Sequence, residues 1–287
     1  MNAGVLVTGA SGFVGRRLVT RLQSDGYQVR TFCASDGDIA TSELSFSDVG
    51  HVYHLAARTF VPDSWCNPVD FYRVNVLGTL NVLDFCRRTG ASATIISSYV
   101  YGHPNADPIP ESHPLSAFNP YGHSKILAEQ AVSYFCEAFR IRASVVRPFN
   151  LYGPGQSASF LIPSILRQAL NPACNEISVL DDRPRRDYIY VDDLVSLLLL
   201  LIDGRAGVYN AGSGVSHSVR EVLDLVNGLI PFPKALICSG QSRPQEVLDM
   251  RADIRRAQVE LGWSPETALH DGLRFTINDL LMNTNVR

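Results

Sequence analysis

The 287-residue sequence predicts an α/β fold, a doubly wound parallel sheet with a smaller second lobe. The first observation is that short apolar runs alternate with segments of helical periodicity, which is typical of parallel strands connected by helices. The second is a glycine-rich turn that follows the first apolar run and opens a helical pattern. The predicted strands are residues 4–7, 28–32, 51–56, 93–97 and 143–147.

The two parts of the fold are predicted to interrupt each other along the chain. The density of Pro and Gly rises at 148–155, which indicates a first exit from the sheet. The sheet domain is therefore predicted to comprise residues 1–150 and 187–212, and the lobe residues 151–186 and 213–287. The lobe would cover the carboxyl ends of the strands, where ligands bind in such sheets.

The glycine-rich turn has the spacing of a dinucleotide-binding turn. Gly9, Gly12 and Gly15 follow the apolar run 5–7 at three-residue intervals. The first glycine allows a tight turn, the second lets the backbone approach a pyrophosphate, and the third allows close packing of helix on strand. The pyrophosphate would lie at the positive end of the following helix. The sequence thus predicts a Rossmann domain that binds a dinucleotide.

Tyr121 and Lys125 predict acid/base chemistry beside that dinucleotide. Residues four apart share one helix face, so the Lys125 ammonium is expected beside the Tyr121 phenol. A nearby positive charge favours phenolate and lowers the pKa of tyrosine from its usual value of about 10. Such a base would remove a hydroxyl proton as hydride leaves the same carbon. Ser97 ends a predicted strand shortly before this helix and supplies a third polar group.

Composition excludes several other classes of function. The net charge is −3 and no long run of Lys or Arg occurs, which argues against nucleic acid or an anionic membrane as the main partner. The most apolar stretch, 197–202, is too short to span a bilayer, and no signal peptide is visible. The six cysteines lack CxxC spacing, which favours reduced thiols and a cytoplasmic location. The seven histidines lack the spacing of metal ligands, so no metal is expected.

Motifs in a fixed order run nearly from end to end of the sequence. They are TGASGFVG at 8–15, HLAA at 54–57, NVLGTLNVL at 75–83, SSYVYG at 97–102, YGHSK at 121–125, RPFNLYGPGQ at 147–156, RRDYIYVDDL at 185–194, YNAGSG at 209–214 and ADIRRAQVELGW at 252–263. With these motifs the sequence resembles the extended short-chain dehydrogenase/reductases, in particular the branch of nucleotide-sugar epimerases, dehydratases and reductases. The resemblance implies an enzyme that uses NADP(H) or NAD(H).

The resemblance also assigns roles to individual residues. It implies that Ser97 hydrogen-bonds the reacting sugar oxygen, that Tyr121 transfers the proton, and that Lys125 contacts the nicotinamide ribose. The cofactor-binding residues that it implies are Gly9, Ser11, Gly12, Phe13, Val14, Gly15, Arg16, Asp38, Ile39, Leu55, Ala56, Ala57, Asn75, Tyr121, Lys125 and Pro148. The substrate-binding residues that it implies are Ser98, Tyr99, Arg147, Asn150, Arg186 and Arg243.

One departure from the family pattern concerns the choice of cofactor. NAD-using members carry an acidic residue after the second strand, where it binds the ribose hydroxyls, and Cys33 stands at this place. The loss of the carboxylate removes repulsion against a 2′-phosphate, and Arg16 or Arg17 would supply a positive charge. NADP(H) is therefore slightly favoured. Asp36 and Asp38 are the two candidates to replace the missing acid.

A second departure concerns the reaction. The dehydratases of the family carry Asp-Glu or Ser-Glu directly after the active Ser or Thr, and this carboxylate works as acid and base in elimination. Ser98 and Tyr99 hold those positions, so this style of dehydration lacks its catalyst. The remaining reactions are those of a reductase and a 4-epimerase.

The favoured function is reduction of a nucleotide-linked 4-keto-6-deoxy sugar at C4. The alternative within the family is a 4-epimerase with tightly bound NAD, and the alternative from another class is a non-catalytic NAD(P)-binding redox sensor. The short chain and the missing acid favour the reductase. A homodimer is expected, because family members pair two helices across a two-fold axis and segments 68–89 and 121–139 have amphipathic patterns.

Overall fold

The computed structural model describes residues 4–241 and 245–284 of the chain. The strands are β1 (Gly4–Thr8), β2 (Val29–Phe32), β3 (Val49–His54), β4 (Ser92–Ile96), β5 (Ala143–Pro148), β6 (Asn150–Tyr152), β7 (Glu176–Val179), β8 (Arg185–Tyr190), β9 (Gly207–Ala211), β10 (Ser216–Ser218), β11 (Ala235–Cys238) and β12 (Asp249–Met250). The α-helices are α1 (Phe13–Ser24), α2 (Val61–Cys66), α3 (Pro68–Tyr72), α4 (Gly78–Thr89), α5 (Pro120–Phe139), α6 (Leu161–Leu170), α7 (Val191–Leu199), α8 (Val219–Leu229), α9 (Arg255–Leu261) and α10 (Leu269–Thr284). A π-helical segment, Arg73–Leu77, joins α3 to α4.

The main sheet has six parallel strands in the order β2-β1-β3-β4-β5-β9. Helices cover both faces, so β1 and β5 are buried along their whole length. This burial explains why the strands appear in the sequence as continuous apolar runs. The predicted doubly wound α/β class is confirmed.

The strand order creates a crevice beside β1. The chain passes from β1 to β2 on one side, and then returns to place β3 on the other side of β1. The loops that leave β1 and β3 at their carboxyl ends therefore diverge. Ligands of doubly wound sheets bind at such a switch point.

The lobe is built on two smaller sheets. β10, β8 and β12 are neighbours in the first, and β6 pairs in parallel with β8, while β7 and β11 form the second. Helices α6, α8 and α10 pack on β7 and β8 around a separate apolar core. β8 thus belongs to the lobe, and the chain rejoins the main sheet only with β9.

The apolar stretch around α7 is a buried helix face. Leu197, Leu198 and Leu201 have no exposed surface, and α7 packs against α1. Within residues 4–241 and 245–284, no helix has both the length and the apolar character needed to cross a membrane.

Candidate active site

The predicted functional residues meet at the carboxyl edge of the main sheet. Gly9 follows β1, Ala56 and Ala57 follow β3, and Ser97 follows β4. Pro148 is the last residue of β5. The ends of four strands therefore supply one crevice, because the carboxyl ends of parallel strands lie at the same edge.

The glycine turn fits a pyrophosphate. Gly9 has φ +69°, and a Cβ there would lie 2.6 Å from the Ala56 nitrogen. A Cβ at Gly15 would lie 2.2 Å from the Gly9 oxygen, so α1 packs directly on the turn. Gly12 caps α1 without a side-chain hydrogen bond from the described part of the chain, and no acid lies in the first turn. The free N–H groups of α1 suit the phosphates of NAD(P).

The first turn of α5 holds Tyr121. The Asn119 side chain caps the helix by accepting a hydrogen bond of 2.8 Å from the Gly122 N–H. One turn further, Lys125 is buried and its Nζ donates a hydrogen bond of 2.8 Å to the Ile96 carbonyl. Helix α5 is thereby fixed to the end of β4.

Burial dominates the titration of both residues. Burial is the largest cause that raises the pKa of Tyr121 to about 12, and the nearby Ser98 side chain opposes this shift. Burial likewise lowers the pKa of Lys125 to about 8, against the attraction of Glu129. The pKa shift of Tyr121 is opposite in direction to the one that its spacing from Lys125 predicts. The phenol therefore carries its proton at neutral pH.

Ser97 presents a free hydroxyl to the crevice edge. Its N–H donates a hydrogen bond of 2.8 Å to the Val146 carbonyl, which continues the pairing of β4 with β5. Its Oγ is buried and has no hydrogen-bond partner among residues 4–241 and 245–284. A buried hydroxyl without a partner suits the binding of a ligand oxygen.

Asn75 uses its side chain to connect two loops of the site. Its Oδ1 accepts a hydrogen bond of 2.8 Å from the Arg58 N–H, and its Nδ2 donates to the Arg58 carbonyl and to Ser124 Oγ. The Ser124 hydroxyl donates in turn to the Tyr121 carbonyl at 2.6 Å. Asn75 therefore positions the turn of Tyr121 through protein contacts.

His54 is a residue of the site whose partners the sequence does not indicate. Its ring nitrogens lie 2.8 Å from Thr8 Oγ1 and 3.2 Å from Thr79 Oγ1. The Thr79 hydroxyl donates to the Asn75 carbonyl, so we assign the ring proton to the nitrogen facing Thr79. Burial, reinforced by Lys125, lowers the pKa of His54 to about 3. A neutral imidazole thus links β1, β3 and α4.

An acid stands at the end of β2 although Cys33 occupies the expected position. The Asp36 carboxylate accepts a hydrogen bond of 2.7 Å from the Cys33 N–H. The Asp38 carboxylate accepts a hydrogen bond from the Ala40 N–H and forms an ion pair with Arg73. Of the two candidates to replace the missing acid, Asp36 therefore lies at the tip of the strand.

The two arginines after the glycine turn are directed towards the lobe. Arg17 forms a bidentate ion pair of 2.8 and 3.0 Å with Asp192 of α7. Arg16 donates a hydrogen bond of 3.4 Å to the Gly155 carbonyl. Arg17 is thus engaged with α7, whereas Arg16 makes only the long contact with Gly155 and stays the candidate for the adenosine end of the cofactor.

Arg147 differs from the expectation that it contacts the substrate. Its guanidinium is buried and forms a bidentate pair with Glu129, with the closest approach at 2.6 Å. It also donates to the Tyr101 hydroxyl and the Glu111 carbonyl, each at 3.0 Å. These partners occupy the guanidinium, so Arg147 is a structural anchor.

The other residues expected to bind substrate lie between the sheet and the lobe. Asn150 accepts a hydrogen bond of 3.1 Å from the Tyr99 hydroxyl. Arg186 forms an ion pair with Glu246 and donates to the Val247 carbonyl at 2.7 Å. Arg243 lies outside the described residues.

Comparison with known proteins identifies the family. The model of the NAD dependent epimerase/dehydratase family matches residues 5–212. The chain belongs to this family.

Full-length relatives of this family member are enzymes. It is 30% identical over 96% of its length to a putative UDP-glucose 4-epimerase of Methanocaldococcus jannaschii, 97% of which is covered. It is 32% identical to the GDP-6-deoxy-D-mannose reductase of Pseudomonas aeruginosa, over 97% of each chain. Among solved structures, the NAD-dependent NDP-hexosamine 5,6-dehydratase TunA matches 98% of each chain with a TM-score of 0.90 and 29% identity.

These matches confirm the predicted class of protein. The chain is an NAD(P)-dependent enzyme of the extended short-chain dehydrogenase/reductases that act on nucleotide sugars. The alternative of a non-catalytic sensor is therefore set aside. Similar solved structures hold NADPH in one case and NAD in another, so the predicted cofactor class is also confirmed.

Proposed function

We propose that this family member reduces a nucleotide-linked 4-keto-6-deoxy sugar at C4 with NAD(P)H. The observation that carries the proposal is geometric: Lys125 fixes the helix of Tyr121 to the strand end that carries the unpaired Ser97 hydroxyl, so both groups lie at one edge. A protonated phenol is the form that donates a proton to a carbonyl oxygen. In a reaction that begins with oxidation the same phenol would first act as a base.

The proposed mechanism assigns one task to each residue. C4 of the sugar would receive its hydride from NAD(P)H when that cofactor is bound. Ser97 Oγ hydrogen-bonds the C4 oxygen, and Tyr121 donates its proton to that oxygen as the carbonyl becomes an alcohol. Lys125 holds α5 against β4, and its positive charge stabilises the phenolate that remains. The glycine turn holds the pyrophosphate by its backbone N–H groups.

A relative supports the reductase over most of the chain. The GDP-6-deoxy-D-mannose reductase shares 32% identity across 97% of both chains. Ser98 and Tyr99 hold the positions of the dehydratase acid pair, so elimination through that pair has no carboxylate in this protein. The nucleotide sugar would lie between Ser97 and the lobe, with Asn150 and Arg186 as its contacts on that side.

The second candidate is a 4-epimerase that retains NAD. The Asp36 carboxylate at the tip of β2 favours this reaction, because an acid there suits the ribose hydroxyls of NAD. The putative epimerase of Methanocaldococcus jannaschii, at 30% identity, supports it too. An epimerase would oxidise C4, turn the keto sugar over and reduce its other face with no net use of cofactor.

The deciding experiment measures cofactor use and product together. The purified enzyme is incubated with NADH or NADPH and the 4-keto-6-deoxy sugars of GDP, UDP and dTDP, and separately with UDP-glucose and UDP-galactose. The proposal expects consumption of cofactor equal to the alcohol formed from a 4-keto sugar. Interconversion of UDP-glucose and UDP-galactose without net cofactor change would instead establish the epimerase. Tyr121→Phe is the control for both reactions.

A homodimer is part of the proposal. Val69 and Leu77 lie on the continuous helical segment from α3 to α4, and Tyr134 lies on α5, which packs beside it. These side chains are 76%, 48% and 63% exposed, so the two helices present apolar surface to a second copy. Light scattering at micromolar protein concentration is expected to show a dimer, and a monomer would contradict it.

A further inference from the structure

Tyr188 is a buried phenol of the lobe that has no assigned role. It lies on β8 directly opposite Asn150 of β6 in the parallel register. The residue is 5% exposed. Its Oη is buried and finds no hydrogen-bond partner in the ranges 4–241 and 245–284. Since a buried hydroxyl normally has a partner, Tyr188 calls for an explanation.

Other buried tyrosines of the chain have such partners. Tyr53 donates to the Leu198 carbonyl at 2.8 Å, and Tyr101 donates to Asn210 Oδ1 at 2.5 Å. These phenols show that the fold provides an acceptor where a tyrosine is purely structural. An isosteric phenylalanine would pack at position 188 without the desolvation of an unpaired oxygen. The hydroxyl of Tyr188 is therefore retained at a cost to folding.

Tyr188 is connected to the loop of Ser97 through Asn150 and Tyr99. Asn150, its register partner, accepts a hydrogen bond of 3.1 Å from the Tyr99 hydroxyl, and Arg186 lies two residues before Tyr188 on β8. Ser97, the other buried hydroxyl without a partner, precedes Tyr99 by two residues. The two unpaired oxygens thus approach the Tyr99 region from the sheet and from the lobe.

We propose that the Tyr188 hydroxyl binds an oxygen of the diphosphate-linked hexose of the substrate. A ligand with several oxygens satisfies Ser97 from one side and Tyr188 from the other. A hexose hydroxyl and a phosphoryl oxygen offer the same acceptor chemistry to a phenol. The inference rests on the proposed function in one respect, namely that the ligand is a nucleotide sugar.

The test compares Tyr188→Phe with Tyr53→Phe. Calorimetric titration with GDP, UDP, GDP-mannose and UDP-glucose gives affinities without turnover, and a melting curve without ligand gives stability. Tyr188→Phe is expected to keep or raise the melting temperature and to weaken binding about tenfold, the effect of one lost hydrogen bond. Tyr53→Phe loses a bond to Leu198, so it is expected to lower the melting temperature and leave binding unchanged.

The ligand panel also identifies the oxygen that is bound. A loss of affinity already seen with GDP or UDP assigns a phosphoryl oxygen, and a loss seen only with the sugar nucleotides assigns a hexose hydroxyl. Unchanged affinity of Tyr188→Phe for every nucleotide that the wild type binds overturns the inference and leaves the proposed function standing. A lower melting temperature of Tyr188→Phe without ligand also overturns it. If the wild type binds none of the four, nor dTDP or dTDP-glucose, the proposed function falls as well.

Discussion

Lys125 Nζ donates a hydrogen bond of 2.8 Å to the carbonyl of Ile96, the residue directly before Ser97. This bond joins the helix that carries Tyr121 to the strand end that carries Ser97. The lysine thus sets the relative position of the two groups that we propose to act on the substrate oxygen. The Lys125 ammonium is buried, and this burial lowers the pKa of Lys125 to about 8.

Tyr121→Phe is expected to retain cofactor binding and to lower turnover by roughly a hundredfold or more, the scale of a lost general acid. The phenol is the proton donor of the proposed reaction, whereas the cofactor is held mainly by the glycine turn. Fluorescence titration with NADH and NADPH and steady-state rates on a 4-keto sugar provide the measurements. Turnover equal to the wild type would remove Tyr121 from the mechanism.

Much of the fold is predictable from local patterns. The alternation of apolar runs and helices indicated the parallel sheet, and the glycine spacing indicated the turn after β1. The pairing of β8 with β6, β10 and β12 was not indicated, because β-pairing between distant segments leaves little trace in the sequence. The chain therefore rejoins the main sheet at β9, later than residue 187, where the sequence predicts it.

The sequence predicts which residues meet at the candidate site better than it predicts their contacts. The sequence indicated Ser97, Tyr121 and Lys125, which the structure brings to one edge. It did not indicate that burial raises the pKa of Tyr121, because the spacing to a lysine gives no measure of desolvation. Nor did the sequence indicate that Glu129 forms a buried ion pair with Arg147, since that pair depends on how α5 packs on β5.

Lys125→Met is expected to change how stability depends on pH. The pKa of Lys125 is lowered to about 8 by folding, against about 10.4 in the unfolded chain. Between these values the unfolded chain binds the extra proton, so stability rises with pH. The penalty for burying the charge is full below pH 8 and is relieved above about pH 10, and it amounts to about 3 kcal/mol at most.

Urea unfolding at several pH values from about 7 to 10 measures this penalty. The difference in unfolding free energy between wild type and Lys125→Met cancels the titration of other groups. That difference is expected to shift in favour of the wild type as the pH rises. A difference that does not vary with pH would show that folding leaves the pKa of Lys125 where it is in the unfolded chain.

Asp36→Asn is expected to shift the choice of cofactor towards NADP(H). The carboxylate lies at the tip of β2, where it would bind ribose hydroxyls and repel a 2′-phosphate. Loss of one charged hydrogen bond corresponds to roughly tenfold in the ratio of the two affinities. Cys33→Asp is expected to move the ratio the opposite way, towards NAD(H).

Binding titrations with both cofactors test this shift without any sugar substrate. Asp25→Asn, at the far end of α1, removes an equal charge from an exposed ion pair with Arg21 and is expected to leave the ratio unchanged. An unchanged ratio in Asp36→Asn would instead indicate that Asp38, which forms an ion pair with Arg73, takes the role of the missing acid.

Arg147→Met is expected to lower stability strongly while leaving the affinity for nucleotide sugars intact in the folded fraction. Removal of the guanidinium leaves the buried carboxylate of Glu129 without its partner, and breaking a buried pair from one side costs about 3–5 kcal/mol. If the residue bound the diphosphate, affinity would fall instead, with a smaller effect on folding. Denaturant unfolding and calorimetric titration of the same preparation separate the two roles.

The double variant Arg147→Met, Glu129→Leu is expected to recover part of the lost stability, because it removes both charges together. If the double variant does not recover stability and Arg147→Met binds nucleotide more weakly, Arg147 is a substrate-binding residue after all.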